Sequence, residues 1–95
     1  MYIAIRRYTF KAGSTDEVAR RAQEGFIPLI RQTPGFVSYY GVAEGNDRVF
    51  TVSIFQDQAG ADESTKKAAN WIRQNLAEFV QGVPEIVAGE VKWQS

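Results

Sequence analysis

The stretch FVSYYGVAEGNDRVFTVSIFQD, residues 36–57, predicts a β-hairpin whose strands are apolar on both faces. Strands are predicted over 36–44 and 48–56, joined by Gly45-Asn46-Asp47, residue types that readily adopt the positive φ angles of a tight turn. In the second strand only Thr51 and Ser53 interrupt the apolar run. A strand with one face in water alternates with charged residues, so we expect both faces of this hairpin to be covered.

The sequence on either side of the hairpin completes a β-α-β-β-α-β order. Residues 2–10 are rich in β-branched and aromatic side chains and predict strand one, and residues 86–93 predict strand four. This order folds into one antiparallel sheet with both helices on one side, the ferredoxin-like α+β plan. We expect residues 1–95 to form a single domain.

Two helices are predicted between the strands. Ser14 and Glu17 have the spacing of a capping box at the start of helix one. Pro28 lies inside this helix and predicts a kink or a restart, because proline removes an amide hydrogen bond. Helix two is predicted from about residue 59 to residue 80, with Asp57 as its cap and Gly82 as its C-terminal stop.

The composition excludes several classes of function. The 95 residues include eleven basic and eleven acidic side chains, so the chain has no electrostatic footprint for nucleic acid or an anionic membrane. It has no Cys and no His, which removes disulfides, thiolate nucleophiles, zinc–thiolate sites and the commonest general base. We therefore expect no cofactor and no metal. Strand one is predicted to start at residue 2, so we expect no signal peptide, and no apolar run is long enough to span a bilayer. We therefore expect a cytoplasmic location.

One side of the predicted sheet is left bare by the helices. Each face of a four-stranded sheet of this length measures on the order of 400 Å² in plan. An apolar face of that size is near the upper limit that monomers expose, so we expect a homodimer in which two sheets pack face to face. In the alternative, Glu90 and Lys92 of strand four keep the face hydrated and the chain stays monomeric.

Three motifs give the chain a family likeness: Lys11-Ala12-Gly13 after strand one, Pro34-Gly35-Phe36-Val37-Ser38-Tyr39 at strand two, and Phe55-Gln56-Asp57 after strand three. With them the chain resembles the antibiotic biosynthesis monooxygenase (ABM-like) family of the dimeric α/β-barrel superfamily, over nearly its whole length. Phe55 stands in place of the Trp in the family's Trp-x-Asp. The resemblance implies a dimeric barrel, and in some members a cofactor-free oxidation of quinols or polyphenols.

Other members of this family degrade haem. They use an Asn on strand one, a Trp on helix two and a haem-ligating His further along. Here Trp71 matches the Trp, but Arg6 stands in place of the Asn and Gln81 in place of the His. Haem degradation by that mechanism is therefore not expected.

Arg6 and Trp71 are the predicted catalytic residues. Arg6 and Arg7 are adjacent on strand one and point to opposite faces, so one of them faces the apolar interior. A buried Arg is rarely unpaired, and its partner is either a carboxylate such as Glu90 or an anionic ligand. The resemblance favours Arg6 as the pocket residue. Trp71 flanks the apolar stripe of helix two, where it either roofs a pocket or packs as a half-buried core residue.

Tyr39, Asn70 and Asn75 are the predicted substrate-binding residues. Tyr39 or Tyr40 would line the pocket as a phenol donor, and the other would pack at the dimer interface. The two asparagines would orient a hydroxyl or carbonyl of the ligand, or else face solvent. With these residues in a pocket, the family resemblance implies a small monooxygenase without a cofactor, acting on an electron-rich aromatic. The alternative is a non-catalytic, dimeric ligand-binding or stress-associated barrel.

Overall fold

A four-stranded antiparallel sheet with its helices on one side makes up the computed structural model, which describes residues 1–95. In chain order the elements are β1 (Tyr2–Phe10), α1 (Thr15–Arg21), a π-helical turn (Ala22–Phe26), α2 (Ile27–Arg31), β2 (Phe36–Gly45), β3 (Arg48–Phe55), α3 (Gln58–Asn75) and β4 (Val80–Glu90). The strand order is β2-β3-β1-β4, and the ferredoxin-like α+β fold is confirmed. No helix combines the length and apolar character needed to cross a membrane.

The two faces of the sheet differ in their surroundings. The covered face lies under the helices, and its buried residues in β1 and β3 are Ala4, Arg6, Tyr8, Phe10, Thr51, Ser53 and Phe55. The open face carries the alternate residues, which include Ile3, Ile5, Arg7, Tyr40, Val42, Phe50, Val52, Ile54 and Val87. Several large apolar side chains of the open face are exposed; Val87, for example, is 64% exposed.

The first helical segment contains the interruption predicted at Pro28. The π-helical turn separates α1 from α2, and Pro28 lies in the first turn of α2, where its missing amide hydrogen costs least. Between Val18 and Ile30 a regular α-helix would turn about 120° beyond complete turns. The wider π turn offsets that rotation, so Val18, Phe26 and Ile30 are all buried.

The capping box predicted at Ser14 does not form. Ser14 has helical φ and ψ of −95° and −4°, not the extended conformation that a capping residue needs, and its Oγ donates to the Lys11 carbonyl at 2.6 Å. Asp47 of the β2–β3 turn takes this role: its Oδ1 accepts from Thr15 Oγ1 at 2.9 Å. Hydrogen bonds from Gly13 and Thr15 lower the pKa of the Asp47 carboxyl. The hairpin, not the helix's own sequence, therefore caps α1.

The boundary between α3 and β4 lies earlier than predicted. The Asp57 cap is confirmed, since its Oδ1 accepts from the Gly60 amide at 3.0 Å. However, α3 ends at Asn75 and β4 already begins at Val80, because Val80 pairs with Phe10 of β1. Gly82 thus lies inside β4, at a φ of 73° near a shift in the strand register, and does not end a helix.

Candidate functional site

A cavity of about 220 Å³ lies between the covered face and the helical segment formed by α1 and the π turn. Small residues create the space: Ala19 and Ala22 on the helical side, Gly41 and Ala43 on β2. Ala19, Gly41 and Ala43 are exposed, which places the mouth between α1 and β2. Its volume is slightly below the roughly 300–1,000 Å³ of common ligand sites, so it suits a small ring system.

Arg6 lies at the inner wall of this cavity and is 1% exposed. Its Nη2 donates to Ser53 Oγ at 2.7 Å, and its Nη1 donates to Thr65 Oγ1 at 3.1 Å. Glu90, the carboxylate considered as its partner, instead forms an ion pair with Lys92. The hydrogen bonds of Arg6 therefore go to neutral hydroxyls alone. A buried guanidinium held in this way keeps a positive charge that an anionic group can still neutralise.

Two buried side-chain polar atoms in the protein lack a hydrogen-bond partner, and both belong to residues of this wall. They are Arg6 Nε and Thr51 Oγ1. Arg6 and Thr51 are direct partners in the β1–β3 register, and both line the cavity. Buried polar groups are nearly always paired, and an unpaired one costs about 1–3 kcal/mol. The wall of the cavity therefore holds two polar atoms whose hydrogen-bonding capacity is unused.

Two phenols stand close to the Arg6 charge. Burial raises the pKa of the Tyr8 phenol, and it raises the pKa of Tyr39 to about 12, although the Arg6 charge acts against both shifts. Both side chains line the cavity and stay protonated at neutral pH. They therefore add hydroxyl donors to the polar end of the site.

Trp71 of α3 forms a side wall and is half-buried. The centroid of its ring lies 5.6 Å from that of the Phe26 ring. The Phe26 and Tyr39 rings pack edge to face, with their centroids 5.4 Å apart. The backbone of the π turn comes so close that a Cβ on Gly25 would lie 3.0 Å from the indole Nε1. The π turn therefore packs closely against the indole, and a side chain larger than that of glycine at position 25 would press on the ring.

The structure brings three of the five predicted site residues together. Arg6, Trp71 and Tyr39 all line the cavity. Asn70 and Asn75 are exposed on α3 and lie outside it: Asn70 accepts a hydrogen bond from Arg73, and Asn75 Nδ2 donates to the Trp71 carbonyl at 2.9 Å.

The neighbours of Arg6 and Tyr39 in sequence lie on the other side of the sheet. Arg7 is on the open face, where it pairs with Glu44 at 2.8 Å and Glu85 at 3.6 Å. Tyr40 is also on the open face and is 56% exposed. Of the two arginines Arg6 lines the cavity, and of the two tyrosines Tyr39 does.

Two residues of the site were missed from the sequence. Tyr8 could have been found, because strand alternation places it on the same face as Arg6. Thr51 could not, because its position opposite Arg6 depends on the register between β1 and β3.

The family model for antibiotic biosynthesis monooxygenase matches residues 1–70. The chain therefore belongs to this family. No curated protein is significantly similar to it in sequence. No group of three or more Asp or Glu side chains is arranged to hold a metal ion.

Solved structures share the fold at low sequence identity. A protein of unknown function from Nitrosomonas europaea is 20% identical, with a TM-score of 0.81 over 99% of this chain and 91% of that one. The ActVA-Orf6 monooxygenase of Streptomyces coelicolor, solved with Nanaomycin D, is 17% identical, with a TM-score of 0.77 over 99% and 89%. A MhuD variant with manganese protoporphyrin IX bound is 17% identical, with a TM-score of 0.75 over 100% and 98%.

Proposed function

We propose that this protein is a small monooxygenase that oxidises an electron-rich aromatic, such as a quinol or a polyphenol, without a metal or organic cofactor. Its family membership supports the reaction class. The observation that carries the proposal is the pair of unpartnered polar atoms, Arg6 Nε and Thr51 Oγ1, on residues that line a mostly apolar cavity.

Binding would place the aromatic ring between apolar walls and its oxygen at the polar end. Trp71 and Phe26 offer aromatic surfaces to the ring. Arg6 is a fixed cation out of contact with bulk water, so it favours the ionised phenolate over the neutral phenol. The proton would leave through the mouth beside β2. We propose a catalytic role for Arg6 and Trp71 and a binding role for Tyr39; Asn70 and Asn75 lie too far outside the cavity lining to share it.

The phenolate is the reductant of dioxygen in this proposal. A ring carbon that is ortho or para to the oxygen and carries a hydrogen passes electrons to O₂ and forms a C–O bond, and uptake of a proton gives a hydroperoxide. Loss of the proton from that carbon then breaks the O–O bond, and hydroxide leaves and is protonated to water. One oxygen atom enters the resulting quinone and the other becomes water, so the substrate supplies all four electrons. The protonated Tyr8 and Tyr39 can donate hydrogen bonds to the developing peroxide.

Oxygen uptake with a panel of quinols and phenols tests the proposal. With ¹⁸O₂ we expect one labelled atom in the quinone and one in water, at a rate above the autoxidation of the same substrate. Arg6→Gln should remove most of the enzymatic rate, whereas Arg7→Gln, the neighbouring arginine on the open face, should leave it unchanged. Saturable binding with no oxygen uptake across the panel would instead support the non-catalytic ligand-binding alternative.

We further propose that a second copy of the chain covers the open face. The exposed apolar side chains of this face support the assembly, among them Ile5 at 37%, Val42 at 37% and Val87 at 64% exposed. Two such faces stacked together would form a shared core about 10 Å thick. Sedimentation at micromolar concentration should show a dimer; a stable, soluble monomer would overturn this assembly.

A further inference from the structure

A second cleft lies on the opposite side of Arg6, between α3 and β4. Its volume is about 300 Å³. Apolar side chains of α3, of β4 and of the segment between them form most of its lining, and Arg6, Tyr8, Thr65 and Arg73 are its polar members. Of these four, Arg6 and Tyr8 also line the first cavity, so they separate the two spaces.

The lining of this cleft carries positive charge and no negative charge. It contains two arginines and no Asp or Glu. Arg6 Nη1 lies 3.1 Å from Thr65 Oγ1, and Thr65 lines the cleft but not the first cavity. The buried guanidinium therefore lies directly behind the wall of the cleft, and its charge acts there through space. Arg73 hydrogen-bonds only to Asn70, a neutral side chain, so its charge is also available.

We propose that this cleft binds a monocarboxylate with an apolar body. The planar guanidinium of Arg73 matches the geometry of a carboxylate and would hydrogen-bond to it, and the buried charge of Arg6 would attract it to the same end of the cleft. The apolar lining, which includes Ala69, Ala77 and Ile86, fits a hydrocarbon body that inorganic anions lack.

Sharing Arg6 has a consequence that rests on the proposed function. A carboxylate in the cleft neutralises part of the charge that would stabilise a phenolate in the first cavity. The two ligands should therefore weaken each other's binding by the same factor, as linkage requires.

Hexanoate and its neutral analogue hexanamide test the binding site directly. Methyl NMR reads each space separately, because Ala69, Ala77 and Ile86 line only the cleft, whereas Ala19 and Ala22 line only the first cavity. We expect saturable hexanoate shifts at the cleft methyls and much weaker binding of hexanamide. Equal affinity for the two probes, or shifts confined to the cavity methyls, would overturn the proposal.

Three variants sharpen this measurement. Arg73→Gln should weaken hexanoate binding about tenfold through loss of a charge-assisted hydrogen bond. Arg31→Gln removes the same charge from an exposed position outside the cleft and should have no effect. Ala69→Leu should block the cleft while leaving the first cavity open. If Arg73→Gln and Arg31→Gln bind hexanoate equally well, the cleft is not the site.

The coupling to the first cavity is measured separately, by the affinity for a phenolate at saturating hexanoate and at the same concentration of hexanamide. Hexanoate should lower that affinity and hexanamide should not. The NMR titration needs neither oxygen nor turnover. If the cleft binds hexanoate but the protein has no oxygenase activity, the cleft site is supported and the oxygenase proposal is refuted. If the protein has oxygenase activity but the cleft does not bind hexanoate, the oxygenase proposal is supported and the cleft site is refuted.

Discussion

Arg6 and Arg7 are neighbours in sequence and opposites in structure. Arg6 is 1% exposed on the covered face and bonds to hydroxyls, with its Nε left unpaired. Arg7 lies on the open face, half-exposed, between the carboxylates of Glu44 and Glu85. The covered face thus buries a charge without an ion pair, and the open face exposes apolar side chains around a charge that has two partners.

The difference separates the two tasks that the sheet performs in our proposals. Burying a cation without its anion is unfavourable for folding, and such a group is typical of a binding or catalytic site. Exposing a row of apolar side chains is unfavourable in water and is typical of an interface. In these proposals, one side of the sheet binds the ligand and the other side forms the dimer.

Placing a charge on the open face should have the largest effect. In Val52→Asp the new carboxylate would be buried between the two sheets of the proposed dimer, at a cost of several kcal/mol. We expect sedimentation velocity to show a monomer or an unfolded chain. Gln94→Asp, on the exposed tail, adds the same charge and should remain dimeric. A fully dimeric, stable Val52→Asp protein would break the assignment of this face to assembly.

Replacing each of the two arginines by glutamine tests whether only the arginine of the covered face takes part in binding a phenolate. Arg6→Gln should weaken the binding of a phenolate by about 1–3 kcal/mol, because a charge-assisted hydrogen bond is lost. Arg7→Gln should leave phenolate affinity unchanged, since Arg7 lies on the other face. Isothermal calorimetry measures both. Equal losses in the two variants would mean that affinity follows net charge rather than the cavity.

Adding a methyl group to the π turn tests whether this turn fixes the position of the Trp71 ring in the cavity wall. In Gly25→Ala the new Cβ would lie 3.0 Å from the Trp71 indole nitrogen and should displace the ring. We expect a shift in Trp71 fluorescence and a few-fold loss of ligand affinity, with little loss of stability because alanine favours helix. The Trp71→Phe variant shows the fluorescence of Trp93 alone, which is subtracted as background. Unchanged emission and affinity would show that the indole position is not fixed by this contact.

Acidification should lower the stability of the protein by weakening the contact between α1 and the β2–β3 turn. This is the smallest of the four expected effects. The pKa of Asp47 is lowered by its hydrogen bonds, so its contribution to stability is present above the ordinary value of about 4 and is lost as the pH falls through the folded-state pKa. Urea unfolding at several pH values measures this. Asp47→Asn should lose part of the acid dependence, whereas Asp62→Asn, at an exposed position of α3, should keep it.

The sequence predicted those features that depend on local periodicity. The alternation along β1 placed Arg6 and Arg7 on opposite faces, and the spacing after Asp57 located the cap of α3. For the candidate site, the sequence pointed to Arg6, Tyr39 and Trp71, which line one cavity and come from two strands and one helix. Their roles in catalysis and binding stay predictions. Asn75 shares a helix side with Trp71, but its side chain bonds back to the Trp71 carbonyl.

The features that were missed depend on contacts between distant segments. Asp47 accepts a hydrogen bond from the hydroxyl of Thr15, which is 32 residues away in the sequence. No local pattern therefore marks Asp47 as the cap of α1. The early start of β4 is set by pairing of Val80 with Phe10, which outweighs the local signal of Gly82. Thr51 joins the site only through the register of β3 with β1. In each case tertiary pairing decided what the local sequence left open.

The π-helical turn between α1 and α2 amounts to one residue inserted into an otherwise regular helix. Removing that residue would leave Val18 and Ile30 within about 20° of each other around the helix axis, so the buried stripe would survive. What would be lost is the widened backbone beside Gly25 and Trp71. Loss of a single residue here would thus reshape the cavity wall while leaving the fold intact, so this turn is a point where the shape of the cavity can change during evolution at little risk to folding.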